Sequence, residues 1–347
     1  SYRAAFKDVY NRLAATAEGG AVDMLTFAGE ILPLLQHTAS PAIVAATQRY
    51  QQLWKAVLAP SAEVSRCDYR SADISARVHE LFAAPHPGWP MARYCAPDLL
   101  IAASSPAAIN AGDYQLVLGE LHLFNALSTS CFIADSPADV RATLAQHLPT
   151  ACIRPATAQG QTIQRTAAVP AFDRDLCLEY TAAPAAPEYR SVIALAELVV
   201  VDQDGSLLVR SRDGRLCLDV VEFFDFWLSN QCLALPALHS AGRSPRLSID
   251  GVVVGRETWR LSAEACPFAS ERAVDKQFVA VRRWANQHAL PRFLFARVPT
   301  EQKPIYVDLD SPIYLALLAK AIRKTTELHG PEAIISLSEM VPNLDHA

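Results

Sequence analysis

The sequence predicts an α+β protein, in which a helical N-terminal part precedes a mainly antiparallel sheet region with packed helices. Apolar residues recur at helical spacing through the first 60 residues, and two Asp-Gly turn signals separate alternating runs in 192–221. The last predicted strand passes directly into a long helix. These elements divide the chain into a helical segment at 1–90, a mixed α+β part at 91–300 and a strand-to-helix part at 301–347.

The first part contains several predicted helices separated by breakers. Apolar side chains recur at helical spacing through residues 1–16. The stretch "MLTFAGEILPLLQHTAS" predicts a helix interrupted at Pro33. The next helix opens with Ser40 as a cap and Pro41 at its first position, and "ISARVHELFA" predicts another.

The remaining chain alternates predicted strands with two helices. "PDLLIAA" and "DYQLVLGELHLF" have the pattern of short buried strands, and residues 192–221 predict a β-meander with antiparallel pairing. "RLSIDGVVVGRETWRL", "RFLFARVP" and "PIYVDL" are further predicted strands. "AVDKQFVAVRRWANQHAL" predicts an amphipathic helix, and "SPIYLALLAKAIRKTTELHG" predicts a helix ending at Gly330.

Composition and charge restrict the class of protein. The 347 residues are 51% hydrophobic and 19% charged, which is typical of a folded protein, and no apolar run approaches the ~18 residues of a membrane span. The net charge of −5 is uneven, because residues 243–324 carry 14 basic against 8 acidic residues. We therefore expect an anionic partner to meet the C-terminal third, unless these arginines form ordinary surface ion pairs.

The eight cysteines lie at least 15 residues apart, so the sequence contains no short metal-ligand spacing, and we expect no metal. Their apolar neighbours, as in "STSCFIA" and "RLCLDVV", favour buried thiols in a reducing cytoplasm. The predicted localisation is cytoplasmic.

Several nucleotide-dependent and hydrolytic chemistries lack their usual motifs. The chain has no GxxxxGK[ST], GxGxxG, HExxH or GxSxG. The sequence therefore predicts no bound cofactor of the ATPase, Rossmann or zinc-protease kind.

Glu120 and His122 are the candidate catalytic residues. In "VLGELHLFNAL" they share one face of a predicted strand among apolar residues. Polar groups in such a setting need hydrogen-bond partners. A satisfied core pair is one interpretation, and a general base oriented by its neighbour is the other.

Arg256 and Arg260 flank Trp259 directly after an apolar strand. Arginine beside an aromatic ring suits phosphate or a stacked base. The structural alternative places Trp259 in the core and pairs Arg256 with a carboxylate.

Asp308 and Asp310 end the strand in "KPIYVDLDSPIY" and share one face of it. Asp310 or Ser311 can cap the following helix, and Pro312 suits its first turn. The pair could also converge on a cation or on a nearby arginine. We therefore predict a strand-to-helix junction and retain Asp308 as a candidate site residue.

Five blocks in order resemble the lantibiotic dehydratase family, specifically the later part of its N-terminal tRNA-dependent glutamylation domain. They are "PGWPMARYCAPDLLIAA", "GDYQLVLGELHLFNAL", "SPRLSIDGVVVGRETWRL", "LPRFLFARVPTEQKPIYVDLDSPIYLALLAKAIR" and "ISLSEMVPNLD". The resemblance covers roughly residues 75 to 345. The family's domain is longer than this chain. We therefore expect the chain to be a portion of a larger domain, one subunit of a split enzyme, or a protein of reduced function.

The resemblance implies an activity and its partners. Members of this family use aminoacyl-tRNA, most often glutamyl-tRNA, to acylate Ser or Thr of a ribosomally made precursor peptide, and a separate elimination domain then removes glutamate. The similar peptide aminoacyl-tRNA ligases add an amino acid to a peptide C-terminus. The expected partners are aminoacyl-tRNA as co-substrate, a precursor peptide and a separate elimination or partner protein.

On this interpretation Glu120 and His122 are the candidate bases, since an activated ester leaves the enzyme mainly positioning and deprotonation to perform. The candidate binders of tRNA or substrate are Arg256, Arg260, Arg292, Lys303 and Asp308. The alternative from another class is a non-catalytic scaffold that binds precursor peptide or modifying enzymes. A third possibility is a ligase that acts on a small molecule.

Overall fold

The structure is a computed structural model that describes residues 2–36, 41–59, 64–84, 88, 95–123, 138–147, 153–156, 175–179, 191–229 and 242–343. The chain forms two compact units, each assembled from three stretches of sequence. The first unit comprises Ser1–Arg49, Ala84–Asp98 and Glu120–Ala234. The second comprises Tyr50–Ala83, Leu99–Gly119 and Leu235–Ala347.

The helices and strands of the described residues confirm the predicted α+β class. The α-helices are α1 (Tyr2–Ala14), α2 (Met24–Gln36), α3 (Pro41–Leu58), α4 (Ser71–Leu81), α5 (Pro106–Asn110), α6 (Ala138–His147), α7 (Val220–Phe223), α8 (Asp225–Ser229), α9 (Val274–Gln287) and α10 (Pro312–His329). The strands are β1 (Val22–Asp23), β2 (Arg66–Tyr69), β3 (Cys95–Ala102), β4 (Gln115–Leu123), β5 (Ile153–Pro155), β6 (Leu176–Glu179), β7 (Val192–Ala194), β8 (Leu198–Gln203), β9 (Ser206–Ser211), β10 (Cys217–Asp219), β11 (Gly242–Ser244), β12 (Arg246–Ile249), β13 (Val252–Gly255), β14 (Thr258–Ser262), β15 (Phe293–Arg297), β16 (Ile305–Asp308) and β17 (Ile334–Glu339).

The first unit is organised around an apolar core between helices α1 and α2 and an antiparallel sheet in the order β1-β8-β9-β10. Aromatic rings fill its centre: the Phe6 ring lies 6.3 Å from that of Phe27 and 5.5 Å from that of Phe224, between centroids. The β8–β9 hairpin turns at Asp204 and Gly205, which both have positive φ. This backbone suits the twist of a tight hairpin, as the Asp-Gly signal predicted.

The predicted meander is confirmed from β8 to β10, and its ends differ from the prediction. Residues 192–194 form β7, which pairs in parallel with β6 in a separate sheet, β5-β6-β7. Residues 220–223 begin a helix, because Asp219 accepts a hydrogen bond from the amide of Val221 and caps it. Strand propensity alone could not identify the partner of β7, since pairing depends on tertiary contacts.

The second unit contains a five-stranded sheet in the order β11-β14-β17-β15-β16, with α9 and α10 packed on one face. Trp259, Leu294 and Leu337 point into this core and are buried. Trp284 of α9 is also buried and donates its indole N–H to the carbonyl of Ala265 at 2.8 Å. The strand and helix predictions for residues 246–329 are confirmed, including the helix that ends at Gly330.

A second sheet of this unit has the order β2-β12-β13-β4-β3. Leu247 of β12 packs with Leu58 and with the partly buried Trp54 of α3. The predicted burial of β3 is wrong for Leu99, Leu100 and Ile101, which are exposed. Among the described strands, β3 lies at the edge of this sheet, with β4 as its one neighbour.

Two details of the N-terminal helices also differ from the prediction. Helix α2 continues through Pro33 to Gln36, although the proline removes one backbone donor. Helix α3 begins at Pro41 as predicted, whereas the expected cap, Ser40, lies outside the described residues.

The cysteines of the described residues include buried and exposed thiols, and Cys67 is half-buried. Cys177 and Cys266 are buried, and burial raises the pKa of the Cys266 thiol to about 12. Cys95 and Cys217 are exposed, so the expectation of buried thiols is wrong for these two. Cys217 lies on β10, the short strand at the edge of its sheet among the described strands.

Within the part of the chain that the structure describes, no helix is both long and apolar enough to cross a membrane.

Candidate functional site

Asp308 and Arg292, both predicted binders, bind each other. The guanidinium of Arg292 donates to the two carboxylate oxygens of Asp308 from Nε at 2.9 Å and from Nη2 at 3.0 Å. Asp308 also accepts from the amide of Asp310, and these bonds hold the pKa of its carboxyl below the usual value. Asp310 in turn forms an ion pair with Arg282. Both aspartates therefore pair with arginines of their own unit.

The strand-to-helix junction forms as predicted, with one change in its cap. Pro312 occupies the first turn of α10, but the side chain of Ser311 makes no capping hydrogen bond. Asp308 instead orders the turn by accepting from the Asp310 amide, while its own carbonyl accepts from Ser311.

Arg256 binds backbone rather than a carboxylate. Its Nε and Nη2 donate to the carbonyl of Val341 at 3.2 and 3.1 Å, and its Nη1 donates to the carbonyl of Leu118 at 3.3 Å. Burial lowers the pKa of this guanidinium from its usual value, although an arginine stays protonated in a protein. Arg256 thus ties the C-terminal segment to β4.

The side chains of Arg260 and Lys303 make no hydrogen bond or ion pair with a residue that the structure describes. Lys303 is exposed in the turn between β15 and β16. Arg260 is half-buried on β14, and its Nε atom is buried without a hydrogen-bond partner. Burial lowers the pKa of the Arg260 guanidinium, because the charge is partly removed from water.

Glu120 and His122 both lie on strand β4. Glu120 is exposed, so the apolar surroundings expected for this pair are absent at its carboxylate. The side chain of His122 lies outside the described part of the structure. The catalytic role of the pair stays a prediction.

The second unit contains a cleft of about 420 Å³ whose walls carry three arginines. The lining residues are Arg66, Gln115, Arg246, Pro291, Arg292, Phe293, Glu339, Met340, Val341 and Asn343. We name this cavity the arginine cleft.

A buried ion pair forms one wall of the arginine cleft. Arg246 and Glu339 are only 15% and 7% exposed, and the Nε atom of Arg246 donates to Oε1 of Glu339 at 2.7 Å. A second hydrogen bond joins Nη2 to Oε2, and Glu339 also accepts from the amide of Glu257 at 2.8 Å. These hydrogen bonds raise the pKa of Arg246 above its usual value, so its charge is fixed. Such a bidentate pair holds the guanidinium in one orientation.

Arg66 provides the third charge of the cleft. It lies on β2 and is exposed, and its side chain makes no hydrogen bond or ion pair within the described chain. Its neighbours in the cleft include the amides of Gln115 and Asn343. Glu339 neutralises Arg246 and Asp308 neutralises Arg292, so among the described residues Arg66 gives the lining its one uncompensated positive charge, which suits a phosphate or carboxylate group.

Sequence reasoning identified only Arg292 of this cleft. Arg246 lies in "SPRLSI" and Glu339 in "ISLSEM". No local sequence pattern predicts that the two form an ion pair, because 93 positions separate them. Arg66 lies in "SRCDY", which carried no signal.

Among the described residues, no group of three or more His, Cys, Asp and Glu side chains could hold a metal ion.

Comparisons with known proteins define the class of fold. The glutamylation domain of TbtB, from thiomuracin biosynthesis, is 16% identical, and the match covers 99% of this chain and 44% of that chain at a TM-score of 0.54. The same domain bound to 5′-phosphodesmethylglutamycin is 17% identical, and the match covers 99% of this chain and 45% of that chain at a TM-score of 0.56. The tRNA-dependent lantibiotic dehydratase MibB from Microbispora sp. 107891 is 16% identical over 85% of this chain and 32% of that chain, at a TM-score of 0.54. The chain shares the fold of these domains and spans less than half of their length.

A sequence comparison adds a match to a family model over part of the chain. Residues 234–318 match the family model described as "Lantibiotic dehydratase, N terminus". No curated protein matches the chain by sequence. The resemblance to the lantibiotic dehydratase family, first inferred from the order of five sequence blocks, is confirmed.

Proposed function

We propose that the chain contributes to aminoacyl transfer from an aminoacyl-tRNA, most plainly a glutamyl-tRNA, to a ribosomally made precursor peptide. The observation that carries the proposal is the likeness to a glutamylation domain over 99% of this chain. The arginine cleft supports it, because an acceptor stem and an acidic amino acid both present anionic groups that guanidinium binds.

The chemistry needs no nucleotide cofactor, because the amino acid arrives as an ester. A hydroxyl or amine of the acceptor attacks the ester carbonyl, the bond to the tRNA oxygen breaks, and the proton of the attacking group passes through a base to that oxygen. Positioning and proton transfer supply most of such catalysis. Aminoacyl-tRNA as co-substrate agrees with the predicted cytoplasmic localisation.

Glu120 and His122 remain the proposed bases. Their replacement, in the variants Glu120→Gln and His122→Asn, should slow transfer by roughly 100-fold or more while charged tRNA still binds. Transfer at the rate of the unmodified protein in both variants would remove them from the mechanism. We assign elimination to a separate domain or partner protein, as the family resemblance implies.

The decisive experiment titrates the purified protein with charged bulk tRNA at low and at raised salt, followed by a transfer assay with labelled glutamate and a precursor peptide. We expect tight binding that weakens steeply with salt, because phosphate contacts release counterions. The variant Arg66→Gln should weaken binding several-fold, whereas Arg283→Gln, which removes an exposed arginine of α9 away from the cleft, should not. A folded protein that binds no charged tRNA at low salt would contradict the proposal.

One observation favours the scaffold alternative. Leu99, Leu100 and Ile101 are exposed in the edge strand β3, and an exposed apolar edge can accept a peptide strand. Binding of precursor peptide without any binding of charged tRNA would support a scaffold that recognises peptide alone. The third possibility, a ligase that acts on a small molecule, has no comparable observation in its favour.

A further inference from the structure

The five-stranded sheet of the second unit has two chemically different faces. Trp259, Leu337 and Ala296 lie side by side on the face that packs against α9 and α10, and all three are buried. Because side chains alternate along a strand, the residues between them point to the opposite face. We name this opposite face the polar sheet face.

Hydroxyl groups and aromatic rings form one row across the polar sheet face. The strand registers place five residues side by side in this row, in the order Ser244, Thr258, Ser338, Phe295 and Tyr306. The rings of Phe295 and Tyr306 lie 6.4 Å apart between centroids, at an interplanar angle of 65°. On the edge strand β16, the Tyr306 ring also packs edge to face against the ring of Tyr314, at the start of α10, with centroids 4.9 Å apart. Four of the five are half-buried rather than enclosed, and Ser244 is the buried one. The row therefore offers ring surface and hydrogen-bonding groups together.

Two arginines form the neighbouring row of the polar sheet face. Ser336 pairs with Arg260 on one side and with Arg297 on the other, so the two arginines stand two strands apart, with Cα atoms about 10 Å apart. Neither guanidinium makes a hydrogen bond or ion pair with any residue that the structure describes. Arg297 is exposed, and the Nε atom of Arg260 is buried without a partner. A half-buried cation without an anion is costly unless a ligand supplies one.

The polar sheet face continues into the arginine cleft. Phe293 lines the cleft and precedes Phe295 by two residues on β15, so both rings lie on the same face. The rows along this strand are about 7 Å apart. Asp308 lies opposite Phe293 in the register, and its carboxylate is bound by Arg292. It therefore does not neutralise Arg260 or Arg297.

We propose that the polar sheet face binds single-stranded RNA, with bases stacked on Phe295 and Tyr306 and phosphates bound by Arg260 and Arg297. Aromatic rings on an open sheet stack unpaired bases, and arginine binds the backbone between them. The hydroxyl groups of the same row can pair with base edges or with the ribose 2′-OH. That the strand is the unpaired acceptor end of a tRNA, delivered into the arginine cleft, rests on the proposed function.

The experiment measures binding of a labelled single-stranded oligoribonucleotide of about ten nucleotides to the full chain, by fluorescence anisotropy at several salt concentrations. The variant Tyr306→Leu should weaken binding about tenfold, since stacking is worth about 1–3 kcal/mol per base, while Tyr306→Phe should retain it. The variant Arg297→Gln should weaken binding several-fold and lower the salt slope by about 0.7, the value for one phosphate contact of a single strand.

The control is Arg283→Gln, which makes the same change of charge on the exposed side of α9 and should bind as the unmodified protein does. No oligonucleotide binding by the unmodified protein would overturn the inference. Equal binding by folded Tyr306→Leu and Arg297→Gln variants would also overturn it, as would an equal loss in the Arg283→Gln control.

A parallel titration with charged tRNA separates the two proposals. Suppose that charged tRNA binds, and that the Tyr306→Leu and Arg297→Gln variants bind both tRNA and the oligonucleotide as the unmodified protein does. The inference about the polar sheet face is then wrong, and the proposed function stands. If the oligonucleotide binds through the polar sheet face but charged tRNA does not bind, the inference about this face stands and the proposed function fails. If the oligonucleotide and charged tRNA compete for the unmodified protein, and the Tyr306→Leu and Arg297→Gln variants abolish this competition, both proposals are supported.

Discussion

Two arginine-bearing regions of the second unit differ in what holds their charges. In the arginine cleft, Arg246 and Arg292 are each fixed by a carboxylate through two hydrogen bonds. On the polar sheet face, Arg260 and Arg297 have no such partner among the described residues. The difference teaches that a basic stretch of sequence contains two kinds of arginine. One kind stabilises and orients the fold, and the other is available to a ligand.

The largest expected effect comes from breaking the buried pair of the cleft. The variant Glu339→Gln leaves Arg246 buried with its charge uncompensated, so the free energy of unfolding should fall by about 3 kcal/mol. Urea unfolding measures it. The double variant Arg246→Met/Glu339→Leu should recover most of the loss, because two apolar side chains remove the charge with its partner. A loss below about 1 kcal/mol in Glu339→Gln would show that the pair is not effectively buried.

A smaller loss is expected at Arg256, which the sequence suggested as a ligand binder and which instead binds two carbonyls. In the variant Arg256→Lys, one ammonium group cannot reach both carbonyls. The free energy of unfolding should therefore fall by about 2 kcal/mol relative to the unmodified protein. The matched variant Arg283→Lys should change stability by less than about 0.5 kcal/mol. Unchanged stability with weakened tRNA binding in Arg256→Lys would return Arg256 to the ligand-binding class.

The opposite sign is expected at Arg260. The variant Arg260→Met removes a half-buried charge and its unpartnered Nε atom, so it should raise the free energy of unfolding by about 1 kcal/mol. The same variant should weaken binding of single-stranded RNA. Thermal and urea unfolding of the protein without ligand would test the gain. Destabilisation by more than about 1 kcal/mol would mean that the guanidinium contributes packing that outweighs its desolvation.

The smallest effect concerns the half-exposed pair of Asp308 and Arg292, whose arginine is 53% exposed. At pH 7 the variant Asp308→Asn should lose about 0.5–1 kcal/mol, because water screens such pairs. Folding lowers the pKa of Asp308, so its contribution is present above the unfolded pKa of about 3.9 and disappears as the pH falls through the folded value. Unfolding at pH 7 and at about pH 3 should therefore show a difference that shrinks in acid. A difference that stays constant would assign the loss to packing.

Much of the fold could be predicted from the sequence, because its patterns are local. The helical spacing in residues 2–14 and 274–287 and the Asp-Gly hairpin of β8 and β9 each depend on neighbours within a few positions. The junction at Pro312 is of the same kind. Local chemistry specifies such elements whatever packs against them later.

Strand partners and charge partners could not be predicted in the same way. The parallel pairing of β7 with β6 and the exposure of β3 depend on which segments meet in space. The candidate list contained Arg292 but missed Arg66, Arg246 and Glu339, which come from three distant stretches. The sequence also could not distinguish Arg256, whose guanidinium binds two carbonyls, from Arg260, whose guanidinium has no hydrogen-bond partner among the described residues.

The sequence by itself determined the elements, the α+β class and the family resemblance, since periodicity, turn signals and block order are written along the chain. Only the tertiary structure decided which arginines are neutralised and which remain for a ligand. The physical reason is that desolvation and ion pairing depend on distances of a few ångströms between residues that lie tens to hundreds of positions apart.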